Sequence, residues 1–137
     1  MSRDLKDASF VEADVALPNG NATTYSTDID LGNALENGQQ RPENVELLVS
    51  VPALTVTHLP NDETLTVSIV AGAAASPTTV ILGSVLVSTG AGGAGAVAQE
   101  VKVRLPSDCA RYVRAKFDGS ATAGDMSAVD AEVSLVF

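Results

Sequence analysis

Polar and apolar residues alternate along most of this chain in short runs closed by turn residues, the two-residue period of half-buried strands. The pattern is clearest over 129–137, where Val129, Ala131, Val133, Leu135 and Phe137 share one face and Asp130, Glu132 and Ser134 the other. Residues 10–17 set Val11, Ala13, Val15 and Leu17 against Glu12 and Asp14, then stop at Pro18-Asn19-Gly20. Proline presets φ there and Asn-Gly tolerates the positive φ of a tight turn. Residues 25–31 group Tyr25, Thr27, Ile29 and Leu31 on one face. In 45–51, Val45, Leu47, Val49 and Val51 alternate with Glu46, Leu48 and Ser50, and the apolar Leu48 predicts cover on both faces.

Four more segments follow in the same style. Residues 64–70 alternate Leu65, Val67 and Ile69 with Thr64, Thr66 and Ser68, and β-branched outer positions suit a pleated surface. Residues 78–87 are apolar and β-branched, 98–105 alternate Val101, Val103 and Leu105 with Glu100, Lys102 and Arg104, and 111–117 place Val113, Ala115 and Phe117 inward. The reading is an all-β domain: an antiparallel two-sheet sandwich of jelly-roll type with about eight strands. The polar connection at 33–44 is long enough to carry the chain from one sheet to the other, and the glycine-rich run at 89–96 predicts a flexible loop.

Length adds that residues 1–137 form a single domain, with 1–9, which lack a strand pattern, as a flexible amino-terminal arm. Cys109 is the one cysteine, so no intramolecular disulfide can form. The first residues are too charged for the apolar core of a signal peptide, which predicts synthesis in the cytoplasm without Sec-type export. No window reaches the roughly 18 to 20 apolar residues of a helical span, so no membrane partner is expected.

The net charge of −9 repels polyanions and counts against a nucleic-acid partner. The charge is uneven, however. Lys102, Arg104, Arg111, Arg114 and Lys116 fall within one short stretch whose only acid is Asp108. Solvated outer strand faces account for such residues simply; a basic contact surface for an acidic partner is the functional alternative. Together with Arg3 and Lys6 of the amino-terminal arm, these are the candidate contact residues.

Catalytic signals are weak throughout. Gly90-Ala91-Gly92-Gly93 lacks the Gly-Lys-Ser/Thr of a phosphate loop and has no following helix. Asp28, Asp30, Asp62 and Glu63 lack calcium-loop spacing and read as exposed strand and turn positions. A histidine metal cluster is not available to a chain whose only histidine is His58, and Cys109 reads as a small buried hydrophobe. Asn21-Ala22-Thr23 fits a glycosylation acceptor, treated as chance without a secretion signal. No catalytic residue, metal or cofactor is predicted.

The order of segments then points to a family. Ser26-Thr27-Asp28-Ile29-Asp30-Leu31-Gly32, the 45–51 strand, Leu65-Thr66-Val67-Ser68-Ile69, Ser76-Pro77-Thr78-Thr79, Ala110-Arg111-Tyr112-Val113-Arg114 and the final alternating strand resemble the small jelly-roll capsid cement (decoration) proteins of tailed bacteriophages. The resemblance runs from 26 to 137; the segment before it is longer and more charged than the family pattern. It implies a structural virion protein on the outer surface of the capsid, bridging subunits of the same virus's major capsid protein, and a homo-oligomer, dimer or trimer. The competing reading is a non-enzymatic ligand-binding β-sandwich, a carbohydrate or adhesion module of a tail or surface protein. A chain without tryptophan has few aromatic platforms to offer a sugar. An enzyme of the cupin type needs a histidine cluster that His58 alone cannot supply.

Overall fold

A computed structural model describes residues 11–31, 45–106 and 109–136. The strands are β1 (Val11–Ala16), β2 (Thr23–Tyr25), β3 (Ile29–Asp30), β4 (Glu46–Val51), β5 (Thr64–Gly72), β6 (Val80–Thr89), β7 (Gln99–Arg104), β8 (Tyr112–Gly119) and β9 (Asp130–Val136), and the described residues form no helix. They make two sheets. The first has the order β1-β9-β4-β7; the second has the order β2-β8-β5-β6, with β3 also paired to β8. Every strand pair is antiparallel.

Alternation places one face of each sheet inward. Leu47, Val49 and Val51 of β4, Val133 of β9, Leu65, Val67 and Ile69 of β5, and Val113, Ala115 and Phe117 of β8 are all buried in one core. Phe117, Leu17, Ile29, Leu31, Leu59 and Met126 are among its largest fully enclosed side chains. Burying one Leu, Ile or Phe stabilises a fold by about 1.5–3 kcal/mol, so this layer is what holds the sheets face to face. Cys109 joins the core as expected. Leu48 does not become fully covered; it faces outward and stays half-exposed. The connection expected to change sheets does so, since β3 lies in the second sheet and β4 in the first. The loop itself, the amino-terminal arm at 1–9 and Phe137 lie outside the described residues.

Among the strands that depart from simple alternation, two expected ones change phase part-way. In β1 the register shifts between Glu12 and Val15, with Glu12 opposite Val133 and Val15 opposite Ala131. One extra residue reverses which side chains face in. Val15 is buried as expected, whereas Val11 is 64% exposed and Glu12 takes the inward position. The segment expected as one strand over 25–31 is likewise split, because Tyr25 pairs with Lys116 but Ile29 with Val113. Tyr25 therefore faces outward while Ile29 faces in. At the break the Ser26 hydroxyl accepts the Ala115 amide at 2.9 Å, and the Ser26 amide donates to the Ala115 carbonyl at 3.0 Å. A side chain thus replaces the missing rung of the ladder.

The glycine-rich run is also not the free loop its composition suggests. Leu54 and Ala96 exchange a pair of backbone hydrogen bonds at 2.8 Å, and the Gly93 amide donates to Asn61 Oδ1 at 2.8 Å. Gly90 donates to the Glu63 carbonyl and accepts from the Asp62 amide. A Cβ on Gly95 would overlap the Leu54 carbonyl oxygen, and one on Gly90 those of Leu59 and Pro60. These glycines serve close backbone approach, which composition alone cannot distinguish from looseness.

Candidate interaction surface

β8 alternates buried Val113, Ala115 and Phe117 with outward Tyr112, Arg114 and Lys116, so its cations stand on the outer face of the second sheet. Lys102 and Arg104 stand on β7, exposed between the inward Val101 and Val103, on the outer face of the first sheet. Outer faces of a sandwich point apart. The basic stretch that is continuous in sequence is therefore divided between opposite sides of the molecule, and Arg3 and Lys6 lie outside the described residues.

Three of the five cations are engaged. Arg111 makes a two-pronged bond to Asp30, Nε to Oδ1 at 2.8 Å and Nη2 to Oδ2 at 2.9 Å, which raises the guanidinium pKa further above its ordinary value. Arg111 also lies 5.0 Å from the centre of the Tyr112 ring. Arg114 is held more tightly: its Nε donates to the Pro77 carbonyl at 2.9 Å and stands 3.9 Å from Asp28 Oδ1, and its guanidinium lies 3.7 Å from the centre of the Tyr25 ring. Its partner Asp28 accepts the Ser76 amide on Oδ2 at 2.7 Å, while Oδ1, buried, has no hydrogen bond and depends on the Arg114 charge. Lys116 pairs with Asp118 at 3.6 Å. Among the described residues Lys102 and Arg104 have no ion-pair partner.

Asp28 and Asp30 are thus counter-charges for β8, not exposed strand positions. The only sequence signal was that acids and bases alternate in segments that could pair; the bulge at 26–28, which aims both acids at β8, had none. Elsewhere polar side chains fasten turns. Ser120 Oγ and the Thr122 amide donate to Glu63, holding its carboxyl below the ordinary range. Ser127 does the same for Asp125. His58 Nδ1 accepts the Thr55 amide at 3.3 Å within its own turn. Among the described residues no three His, Cys, Asp or Glu side chains converge as a metal site would require.

An open cleft of about 750 Å³ lies between the 53–56 turn and the glycine-rich loop, lined by Leu54, Val56, Thr89, Ala91, Ala94 and Val97 among others, none of them charged. Comparison with known proteins finds no family model that matches the chain and no curated protein similar to it.

Proposed function

We propose that this protein is a capsid cement protein, binding the outside of a bacteriophage head and bridging subunits of its major capsid protein. The observation that supports this reading is the strand order. With β2 and β3 counted as one interrupted strand, the first, eighth, third and sixth strands form one sheet and the second, seventh, fourth and fifth the other. We read that winding as a jelly roll, two Greek keys folded together, an architecture frequent in viral capsid domains. A small domain of this kind stabilises a shell by binding the assembled form and not the free subunit, with a gain set by occupancy of the assembled state. Repetition across a lattice multiplies weak contacts.

Within this reading the cations free to meet an acidic shell, among the described residues, are Lys102 and Arg104. Arg111 and Arg114 hold the fold, so reversing their charge confounds binding with stability. The test adds wild-type protein and a Lys102→Glu, Arg104→Glu variant to shells of the major capsid protein encoded beside it, and heats filled heads with and without the protein. Expected results are tight, salt-sensitive binding by the wild type, roughly tenfold or weaker binding by the variant, and DNA release at higher temperature when the protein is present. Absence of shell binding together with identical release curves would overturn the proposal.

A further inference from the structure

Four strands form the sheet edges, β1 and β7 in the first sheet and β2 and β6 in the second. They differ as templates for a further strand. β1 and β6 are interrupted by register shifts, and β2 is only three residues long. β6 also carries no charged side chain with which to select what pairs with it. Of the longer edges only β7 pairs with its neighbour, β4, without a break, from Gln99 to Arg104. The Leu105 amide donates to the Val45 carbonyl at 3.0 Å, which sets the phase of that ladder. Backbone groups of an antiparallel strand point to its two sides in turn, so the amides and carbonyls of Glu100, Lys102 and Arg104 face away from β4. No described strand takes them up.

Both faces of this edge are unfinished as well. Val101 and Val103 point into the sandwich but stay half-buried, whereas Leu47, Val49 and Val51 beside them on β4 are sealed. On the outer face Lys102 and Arg104 are exposed, and although Glu46 lies across the ladder from Arg104, neither cation closes an ion pair among the described residues. Charge at an edge turns away strands of like pattern and admits one of opposite pattern. We infer that the β7 edge receives an extended acidic segment of a partner protein as an added strand, with acids opposite Lys102 and Arg104, apolar side chains opposite Val101 and Val103, and a base opposite Glu100. Antiparallel addition, the mode of every strand pair in this fold, gives that segment the order acid, apolar, acid, apolar, base. Main-chain bonds then supply affinity and the alternating side chains supply selectivity. The inference rests on the reading of Lys102 and Arg104 as the capsid contact, and it assigns the shell subunit an extended acidic segment at that contact.

The probe is a synthetic peptide, Glu-Val-Glu-Val-Lys with blocked ends, set against its charge-reversed counterpart Lys-Val-Lys-Val-Glu. In amide NMR spectra of the full chain, Glu100, Lys102 and Arg104 should shift with the first peptide and respond roughly tenfold more weakly to the second. Glu100→Pro keeps both cations and removes an outward amide, a change that an edge strand tolerates. It should weaken peptide and shell binding roughly tenfold with circular dichroism unchanged, whereas Glu100→Ala leaves both at least as tight. A contact made by charge alone predicts that these two substitutions act alike, so equal binding by the two variants overturns the inference. The triple variant Glu100→Lys, Lys102→Glu, Arg104→Glu should reverse the preference between the peptides, and retention of the wild-type preference overturns it too. A chain that binds shells yet ignores the peptide sinks strand addition and leaves the cement reading standing; peptide binding without shell binding upholds strand addition and overturns the cement reading. Protection of the three amides in the free protein that is lost on dilution assigns the edge to a second copy and overturns the inference.

Discussion

Glu12 grips Thr27 with both carboxylate oxygens, Oε2 accepting the amide at 2.7 Å and Oε1 the hydroxyl at 2.9 Å. Glu12 belongs to β1 of the first sheet, and Thr27 to the break between β2 and β3 of the second. The two bulges therefore meet, and each accounts for the other: the first turns Glu12 inward, and the second offers an amide with no strand partner. Glu12→Ala should remove both bonds and leave the exposed amide to water, lowering stability by about 0.5–1.5 kcal/mol. A urea midpoint equal to that of the wild type would show that the clasp contributes nothing.

Arg114 should resist conservative replacement. It combines a hydrogen bond to Pro77, a charge for Asp28 and a flat surface for Tyr25, and a lysine ammonium cannot supply the fork and the plane together. Arg114→Lys and Arg114→Ala are both expected to destabilise by about 1–3 kcal/mol, while Lys102→Ala changes stability by less than about 0.5 kcal/mol. If Arg114→Lys melts with the wild type, the stacking and fork geometry have been overvalued.

The glycine-rich loop gives a paired test. Gly95 has φ of 75° and a backbone carbonyl where a Cβ would sit; Gly92 has φ of 63° and open space around it. Gly92→Ala should cost only the conformational penalty, about 1 kcal/mol, whereas Gly95→Ala forces the 53–56 turn away and should cost several times that. Equal melting temperatures for the two variants would contradict the tight packing of this loop.

Acid sensitivity should trace in part to Glu63. Its carboxyl is held below its ordinary value, first by Ser120 and then by Thr122, so the unfolded chain takes up a proton before the folded one does. The stabilisation is thus complete above the unfolded value and is lost as pH falls through the lower, folded one. Asp125, held down by Ser127, acts in the same direction. Stability measured in urea should decline from pH 5 downward, and Ser120→Ala should flatten that decline while lowering stability at pH 7. An unaltered slope in the variant would remove Glu63 from the account.

Much of the fold was legible in the residue pattern because burial of one sheet face imposes a period of two, which β4 and β8 obey almost throughout and β5 and β9 only in their first halves, 67–71 and 133–135 being buried without a break. Where prediction and structure part, at Val11, Tyr25 and the split between β2 and β3, the cause is a single inserted residue. An inserted residue leaves hydrophobicity unchanged and alters only phase, so alternation cannot reveal it. The charged stretch was legible as composition but not as a surface, because two neighbouring strands in sequence entered different sheets. Asp28 and Asp30 resembled solvated acids until pairing with β8 brought them to Arg114 and Arg111. The cleft and the β6 edge had no motif; their signal was a long absence of charge.

The place of β9 between β1 and β4 has a consequence for how the chain reaches this state. Among the described residues β1 hydrogen-bonds to no strand except β9, and β4 has only β7 on its other side. During synthesis the first strand emerges with no partner, and its sheet cannot close until residues 130–136 leave the ribosome. Closure then joins segments separated by almost the whole chain, which makes the transition slow and late compared with a protein built from local hairpins. The second sheet can begin from the β5–β6 hairpin while it waits. In that interval β1 and β4 are exposed, and the acidic side chains of β1, Glu12 and Asp14, help to keep the unfinished chains apart.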